Sequence, residues 1–403
     1  MTNRRKRVFH VCSGCGAKFR HAFTTFCDRC GAMIDVEYDL DRVVLHDSED
    51  ALVRYFDLLP LESDGHLVSY GGGPTPCRHA ERLGGELGLP WLFIKDETVL
   101  PTGSTKDRMA AVVLSFLREC GIAEFCTSST GNSSTALANL IGQCSGTRMY
   151  LFSGDEFNHR VNFGESEQVV HFVMRGATFV EAFEYAAEFA RQRGILSERG
   201  FFNPARREGL KLAFLEAVEQ VPRPIDWYVQ AVSSAMGVYG TYKGARELVA
   251  LRRIARPPRL LCVQQETCSP MARAFEDGSE AILPHHIVPR PHGIASAILR
   301  GNPSRVYPIV RKIVVESEGG FATVSETEIR EARRMAEELE GLSLCFSSAA
   351  ALAGMAKLAR RGGIAANQTV LVNLTGRDRD AATHSHSASW LQRSGNTWVP
   401  EGE

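Results

Sequence analysis

The 403-residue chain lacks long hydrophobic runs and an excess of either charge. No stretch approaches the roughly 18 consecutive apolar residues of a membrane-spanning helix. Its 46 lysines and arginines balance 47 aspartates and glutamates, which argues against a surface built wholly for nucleic acid or anionic membranes. The basic residues 1–7 are not followed by the apolar stretch of a secretory signal peptide. These absences predict a cytoplasmic protein that binds neither membranes nor nucleic acid.

The 11 cysteines are odd in number, and four of them form two close pairs near the start of the chain. Cys12 and Cys15 make one CxxC pair, and Cys27 and Cys30 make the second. This spacing suits four thiolates around a structural Zn²⁺, with a metal-free remnant or a redox pair as the alternative. The other seven lie in apolar surroundings, which fits reduced thiols better than a disulfide framework. We therefore predict a zinc-ribbon-like segment at residues 1–35 with a structural or docking role.

After a connector at residues 36–65, strand-like and helix-like segments alternate along most of the chain. Such alternation is typical of an α/β fold, in which helices cover parallel sheets. The predicted strands are 91–95, 125–128, 149–152, 226–232, 260–264 and 368–374. The predicted helices are 106–120, 132–144, 181–193, 239–249, 326–340 and 347–360.

Four short motifs place polar residues where predicted strands and helices meet. Lys106 follows the turn PTGST at a helix start, where the helix dipole disfavours its charge and lowers its pKa, as a Schiff-base lysine needs. An ordinary helix cap or a P-loop fragment is the alternative, although the full P-loop spacing is absent. Residues 129–135 (STGNSST) and 233–237 (SSAMG) suit anions at helix N-termini, or are plain caps. Residues 374–376 (LTG) follow the last predicted strand, where ligands bind in open α/β folds.

The order and spacing of these motifs resemble the fold type II pyridoxal-phosphate enzymes, and within them the threonine synthase family. The resemblance covers nearly the whole chain and includes GGPTP at 72–76, NPARREG at 203–209 and GNP at 301–303. It implies two α/β domains, each with a parallel sheet in a three-layer arrangement, over residues 66–382. The smaller domain would span approximately 100–200, and the larger one would come from the flanking segments. A tail would follow at 383–403.

The resemblance also implies a role for each motif residue. Lys106 would bind pyridoxal 5′-phosphate as a Schiff base and move protons at the substrate Cα. Asn132 would hydrogen-bond the ring hydroxyl oxygen of the cofactor, and Thr375 would face its pyridine nitrogen. The cofactor phosphate would contact Ser233, Ser234, Ala235, Met236 and Gly237. The α-carboxylate of the substrate would contact Ser129, Thr130 and Ser133.

Departures from the family pattern concern the substrate. The segment SSAMG holds one glycine where the phosphate loop of the family usually holds several, so side chains restrict the approach of a phosphate. Residues 230–234 (QAVSS) are more similar to cysteate synthase, a relative with a cysteine-rich amino terminus. Thr105 stands where threonine synthases often have phenylalanine. The candidates for binding a substrate phosphate are Arg206, Lys243, Arg377 and Arg379.

The chain is thus expected to be a pyridoxal-phosphate-dependent lyase that acts on a small O-phosphorylated amino acid. The first candidate reaction converts O-phosphohomoserine to threonine. The alternative is a cysteate synthase-like β-replacement on O-phosphoserine with sulfite or another nucleophile. An alternative of another class is a catalytically dead scaffold with a zinc-ribbon binding role. The family also leads us to expect a homodimer.

Overall fold

The computed structural model of the protein describes residues 7–378, 386–395 and 397–402. Within them the strands are β1 (Val8–Cys12), β2 (Lys18–Phe19), β3 (Ile34–Tyr38), β4 (Cys77–His79), β5 (Leu92–Asp96), β6 (Glu124–Ser128), β7 (Arg148–Gly154), β8 (Val169–Met174), β9 (Leu196–Ser197), β10 (Trp227–Ala231), β11 (Arg259–Gln265), β12 (Gly320–Val324), β13 (Val370–Leu374), β14 (Ala388–Ser394) and β15 (Thr397–Pro400). The helices are α1 (Ala51–Arg54), α2 (Glu81–Glu86), α3 (Lys106–Glu119), α4 (Asn132–Leu140), α5 (Phe179–Arg193), α6 (Pro204–Gln220), α7 (Met236–Ala250), α8 (Pro270–Glu276), α9 (Tyr307–Glu316), α10 (Glu326–Glu340) and α11 (Phe346–Arg360).

The chain divides into two compact units, and each is assembled from separated stretches of sequence. The first unit contains the described residues of Met1–Gly72, Lys106–Gly209 and Arg379–Glu403. The second unit contains Gly73–Thr105 and Leu210–Asp378. No helix in the described part of the chain is both long and apolar enough to cross a membrane.

The second unit is built on a six-stranded sheet in the order β12-β11-β10-β13-β5-β4. All neighbouring strands are parallel except the edge pair β4–β5. Every residue of β10 and β13 is buried, as expected for parallel strands covered on both faces. α11 packs closely on this sheet because Gly354 has no side chain; a Cβ there would lie 2.4 Å from a methyl group of Val263. The sheet and α11 thus form one continuous apolar core.

The first unit holds a second six-stranded sheet, in the order β15-β14-β8-β7-β6-β9. Five strands run parallel, and β15 pairs antiparallel with β14. α5 covers one face through Ala182, Ala186 and Ala190. A capping box between Thr178 and Glu181 starts this helix, two residues before the predicted start at 181. The segment 383–403, predicted as a tail, contributes β14 and β15; its residues 383–385, 396 and 403 lie outside the described residues.

A small antiparallel sheet, β2-β1-β3, also belongs to the first unit. The predicted alternation of strands and helices around parallel sheets is confirmed. All six predicted strands and all six predicted helices overlap an observed element of the same type. The six-residue strand β8 and the seventeen-residue helix α6 were not among them.

Candidate active site and metal site

Lys106 is the first residue of α3, and its side chain is half-buried. The backbone just before it is fixed by the loop after β13: the N–H of Thr105 donates to the carbonyl of Thr375 at 3.0 Å. The N–H of Arg377 in turn donates to the carbonyl of Gly103 at 3.0 Å. The buried hydroxyl of Thr105 has no hydrogen-bond partner among the described residues. Lys106 therefore directly follows Thr105, whose backbone is hydrogen-bonded to Thr375. The side-chain hydroxyl of Thr105 lacks a partner among the described residues.

The turn before α4 gathers the predicted carboxylate-binding residues in the first unit. The hydroxyl oxygen of Ser129 accepts hydrogen bonds from the backbone N–H groups of Gly131, at 3.1 Å, and Ser134, at 3.2 Å. Gly131, the N-cap residue of α4, has φ +123°, a conformation that L-residues rarely adopt, and it has no side chain that could cap the helix, so Ser129 provides the cap at Ser134. Asn132, the first helical residue, and Thr130 are half-buried. The helix N-terminus is thus shaped by Ser129 and offers N–H groups to an anion.

Ser133 has a partner that the sequence motifs did not indicate. Its hydroxyl oxygen accepts a hydrogen bond from Nη1 of Arg206 at 3.2 Å. Arg206 is buried, and its Nε and Nη2 donate to the two carboxylate oxygens of the buried Glu198. Asn203 also donates to Glu198, at 2.7 Å. The charge of Arg206 is therefore compensated inside the protein, which argues against this residue as a free phosphate receptor.

The other phosphate candidates differ in their surroundings. Nζ of Lys243 lies 2.5 Å from a carboxylate oxygen of Glu247, which also binds the buried Lys211. Arg377 is exposed, and Arg379 lies outside the described residues. A buried lysine elsewhere in the second unit, Lys95, is held by Glu216 at 2.7 Å. Lys95 and Lys211 are thus buried ion-pair residues, unlike the half-buried Lys106.

In the second unit, the segment from Ser233 to Gly237 forms the turn between β10 and α7. Ala235 adopts the left-handed conformation with φ 58° at the helix N-cap, and no side chain caps α7. The helix has 15 residues, so its first turn presents uncapped N–H groups at the positive end of a full helix dipole. Ser233 and Met236 are half-buried, whereas Ser234 is buried. This turn suits a phosphate, as the sequence predicts.

Thr375 follows β13 and is half-buried. The next residue, Gly376, is held on both sides by Ser348: the Ser348 hydroxyl donates to its carbonyl at 2.6 Å and accepts from its N–H at 3.0 Å. Cys345 adds a bond from its N–H to the same carbonyl at 3.3 Å. Ser348 thus anchors the loop that follows β13.

The four amino-terminal cysteines meet in one cluster. The Sγ atoms of Cys12, Cys15, Cys27 and Cys30 all lie within 4.8 Å of one another. The Cys12–Cys30 sulfur pair is 3.3 Å apart, and the Cys15–Cys27 pair is 3.7 Å apart. Tetrahedral Zn–S bonds of 2.3 Å place sulfurs about 3.8 Å apart. A hydrogen bond from the backbone N–H of Cys15 lowers the pKa of the Cys12 thiol, which favours the thiolate.

The cluster and the turns therefore fit the two groups that the sequence implies. Four sulfurs at tetrahedral spacing are the donor set of a closed zinc site. In the second unit, the uncapped N-terminus of α7 and the hydroxyl of Thr105, which has no partner among the described residues, suit a phosphorylated cofactor. In the first unit, the start of α4 offers N–H groups to an anion.

Comparison with known proteins identifies the class. Residues 68–376 match the pyridoxal-phosphate dependent enzyme family, and the chain belongs to this family. Curated relatives include the threonine synthase of Methanosarcina acetivorans, 30% identical over 92% of this chain and 91% of the relative. The threonine synthase of Methanocaldococcus jannaschii is 28% identical over 92% of this chain and 93% of the relative. The cysteate synthase of Methanosarcina barkeri is 25% identical over 91% of this chain and 90% of the relative.

Solved structures share the fold. Threonine deaminase isoform 2 from Solanum lycopersicum superposes with a TM-score of 0.61 at 20% identity, covering 76% of this chain and 80% of that one. Serine racemase from maize superposes with a TM-score of 0.61 at 19% identity, covering 76% of this chain and 89% of that one. The fold type II architecture, the resemblance to threonine synthases with cysteate synthase-like features and the assignment as a pyridoxal-phosphate-dependent lyase are confirmed.

Proposed function

We propose that this enzyme catalyses elimination and replacement on an O-phosphorylated amino acid, with O-phosphohomoserine as substrate and threonine as product. The observation that carries the proposal is the placement of Lys106 at the start of α3, directly after the backbone pairing of Thr105 with Thr375. Two threonine synthases among the relatives, each matched over more than nine-tenths of its length, support the choice of substrate.

In this proposal each turn holds one part of the reactants. Ser233, Ser234, Ala235, Met236 and Gly237 bind the cofactor phosphate. Asn132 binds the ring hydroxyl oxygen, and the hydroxyl of Thr375 faces the pyridine nitrogen. Since a hydroxyl, unlike a carboxylate, leaves that nitrogen largely unprotonated, it favours elimination and replacement over transamination. Ser129, Thr130 and Ser133 hold the substrate α-carboxylate.

Lys106 has two tasks. Its amine binds the cofactor covalently, and once substrate has displaced it, the same amine removes the proton from the substrate Cα and returns a proton later. Pyridoxal phosphate supplies the electron sink that makes this proton removable. The position of Lys106 at a helix N-terminus disfavours its charged form, which helps it to act as a base.

The first test is the visible absorbance band of the lysine-bound cofactor. The purified protein is expected to show this band, and borohydride is expected to bleach it. Lys106→Ala is expected to abolish the band, whereas the control Lys312→Ala, at an exposed position of α9, keeps it. A band that persists unchanged in Lys106→Ala places the cofactor lysine elsewhere.

A second candidate reaction is β-replacement on O-phosphoserine with sulfite or another nucleophile. The cysteate synthase of Methanosarcina barkeri among the relatives and the segment QAVSS at 230–234 support it. Phosphate release is to be compared with O-phosphohomoserine and with O-phosphoserine plus sulfite. Turnover of only the second pair selects the cysteate synthase-like reaction, and turnover of neither rejects both substrates.

We further propose that Cys12, Cys15, Cys27 and Cys30 bind one structural Zn²⁺. Metal analysis of the purified chain is expected to give one zinc per chain. Cys15→Ser is expected to lower both the zinc content and the thermal midpoint, whereas Cys268→Ser, which alters a buried thiol outside the cluster, keeps the zinc. Full zinc content in Cys15→Ser contradicts the assignment.

The setting that we propose is a cytoplasmic homodimer acting on a free amino acid. The free thiols that the structure describes support a reducing compartment. Light scattering of the holoenzyme tests the dimer.

A further inference from the structure

Gln230 is a buried glutamine near the end of β10, three residues before the predicted phosphate turn. Only 7% of the residue is exposed. Its Oε1 accepts a hydrogen bond from the hydroxyl of Tyr228 at 2.7 Å and a longer one from Nδ2 of Asn373 at 3.4 Å. Asn373 also donates to the Tyr228 hydroxyl at 2.7 Å. Oε1 is thus the end of the amide that Tyr228 and Asn373 hold.

The amide of Gln230 lies against Gly237, the second residue of α7. A Cβ built on Gly237 would lie 2.7 Å from Nε2 and 2.8 Å from Oε1 of Gln230. Glycine is therefore required at this position by the amide and not by the backbone angles, since the φ of Gly237 is not positive. Gln230 occupies the space that a side chain on the last residue of the turn would fill.

The nitrogen end of this amide is available for a ligand. Within the described residues, Nε2 of Gln230 donates to no acceptor, while Oε1 is already engaged. Nε2 of Gln230 is not among the fully buried side-chain atoms that lack a partner, so a bound acceptor can reach it. The neighbouring first turn of α7 also presents backbone N–H groups that no side chain caps. All of these donors belong to the second unit.

We propose that Gln230 is a cofactor-binding residue whose Nε2 donates to the phosphate of pyridoxal phosphate, and that Gly237 is glycine to make room for it. The inference rests on the proposed function, because it assumes that the turn from Ser233 to Gly237 binds that phosphate. It explains how a turn with a single glycine can still surround a phosphate with donors. Tyr228 and Asn373 are positioning residues, because they orient the amide without reaching the turn.

The experiment compares two ligands on cofactor-stripped, full-length protein. Pyridoxal phosphate and pyridoxal both react with Lys106, but only the first carries a phosphate. Titration of the visible absorbance band gives a dissociation constant for each, and their ratio measures the contribution of the phosphate. Gln230→Leu is expected to lower this ratio about ten-fold or more, because a hydrogen bond to a charged group is lost. The dissociation constant for pyridoxal is expected to stay within about two-fold.

Two further variants make the test independent of how well Gln230→Leu folds. Gly237→Ala is expected to lower the same ratio, because its Cβ displaces the amide. Tyr228→Phe, which removes one donor to Oε1, is expected to lower it less. Gln264→Leu is the matched control: this buried glutamine lies in the same sheet, but its Oε1 accepts from the N–H groups of Met271 and Ala272. Its ratio should equal that of the wild type.

The outcomes separate this inference from the proposed function. If the wild type binds neither ligand through Lys106, the proposed function fails. If the wild type prefers pyridoxal phosphate and Gly237→Ala and every folded Gln230 variant keep the full preference, the role of Gln230 is rejected while the proposed function stands. A ratio lowered equally in Gln264→Leu would also overturn the inference, because it would show a general effect of buried glutamines on the sheet.

Discussion

At the scale of single residues, the pair of Glu198 and Arg206 is the most consequential feature of the first unit. Both side chains are almost fully buried, and the guanidinium binds the carboxylate through two nitrogens. Thr127 and Asn203 satisfy further lone pairs of the carboxylate. Nη1 of Arg206 donates a hydrogen bond to the hydroxyl of Ser133, a predicted substrate contact, so the fixed guanidinium also holds this hydroxyl in place. The pair thereby orients a hydroxyl in the first turn of α4.

Glu198→Gln is predicted to destabilise the protein by about 3–5 kcal/mol, because it leaves a buried guanidinium without its compensating charge. Urea denaturation at neutral pH measures the loss. The double variant Glu198→Leu with Arg206→Met is expected to be more stable than the single variant, since it removes both charges. A single variant as stable as the wild type would contradict the role given to the pair.

Gly131→Ala is predicted to distort the turn that carries Asn132. The residue has φ +123°, and an added Cβ would lie 2.6 Å from Cβ of Arg160, so we expect a cost of at least about 1–3 kcal/mol. Thermal denaturation and the visible cofactor band measure the effect. Gly142→Ala serves as the control, because nothing lies within 4 Å of a Cβ there. Equal behaviour of the two variants would refute the argument.

At the scale of elements, the small sheet β2-β1-β3 is joined to α3 and to the first residues of α6, which lie in the first unit. His10 of β1 stacks on Phe116 of α3 with ring centroids 5.5 Å apart, and His21 bonds Glu119 at the end of the same helix at 2.6 Å. The ring stacking and the hydrogen bond hold the cysteine-bearing segment against the helix that begins at Lys106.

The same small sheet also holds the start of α6. The hydroxyl of Tyr38 donates to Glu208 at 2.7 Å, and Arg207 donates to the carbonyl of Ile34 at 2.8 Å. All of these groups but Glu119 and His21 are fully or nearly fully buried. The small sheet β2-β1-β3 therefore supports α3 and the start of α6 within the first unit.

Glu119 gives this support a predicted dependence on pH. Burial alone would raise the pKa of its carboxyl group, but hydrogen bonds from His21 and the backbone N–H groups of Glu62 and Ser63 lower it below 4.5. A carboxyl with a lowered pKa in the folded state contributes stability above its ordinary pKa and loses it as the pH falls through the lowered value. We therefore expect part of the stability to disappear below about pH 4.5.

Glu119→Gln is predicted to be less stable than the wild type near neutral pH and to lose less stability on acidification. Urea midpoints measured between about pH 7 and pH 3 test this. The exposed Glu167→Gln should keep the acid dependence of the wild type. Parallel curves for Glu119→Gln and the wild type would show that this carboxylate is not coupled to folding.

Element bounds were predictable where local signals were complete. The predicted helix 326–340 coincides with α10, which has a capping box of Ser325 and Glu328 at its start and the left-handed Gly341 at its end. The sequence around β14 did not predict a strand, because this strand is formed by pairing with β8, which lies more than 200 residues earlier in the chain. β12 begins with glycine and is only partly buried, which removes the apolar pattern of a buried strand.

The sequence likewise indicated some residues of the candidate site and not others. Lys106, Asn132 and the turn from Ser233 stand at strand-to-helix connections, where chain order alone indicates a ligand. Glu198 belongs to no motif, and Gln230 belongs to QAVSS, which gives it no role; what matters about both is the residue that each contacts in the fold. The compensation of Arg206 and the fit of an amide against Gly237 are visible only from packing.

At the scale of the whole molecule, the first unit depends on strands from the end of the chain. Ala388–Leu391 of β14 pairs in parallel with His171–Met174 of β8. Leu391 and Trp398 are buried in the same core as Met174 and Ala186. Removing this segment would leave β8 as an open edge strand and uncover apolar surface.

A chain that ends after residue 386 is predicted to have a lower thermal midpoint and to aggregate. Differential scanning fluorimetry and light scattering measure both effects. A chain that ends after Pro400 is the control, because it keeps β14 and β15 and, of the described residues, loses only the exposed Glu401 and Gly402. If the shorter chain is as stable and monodisperse as the control, the strands are not needed by the first unit.

The segmented order of the chain has a consequence during synthesis on the ribosome. The second unit is complete once Asp378 has been made, whereas the first unit, although it contains the earliest residues, receives β14 and β15 last. A nascent chain can therefore finish the later-starting unit first. Until β14 has been made, β8 stays an edge strand of the first unit that chaperones and proteases can reach.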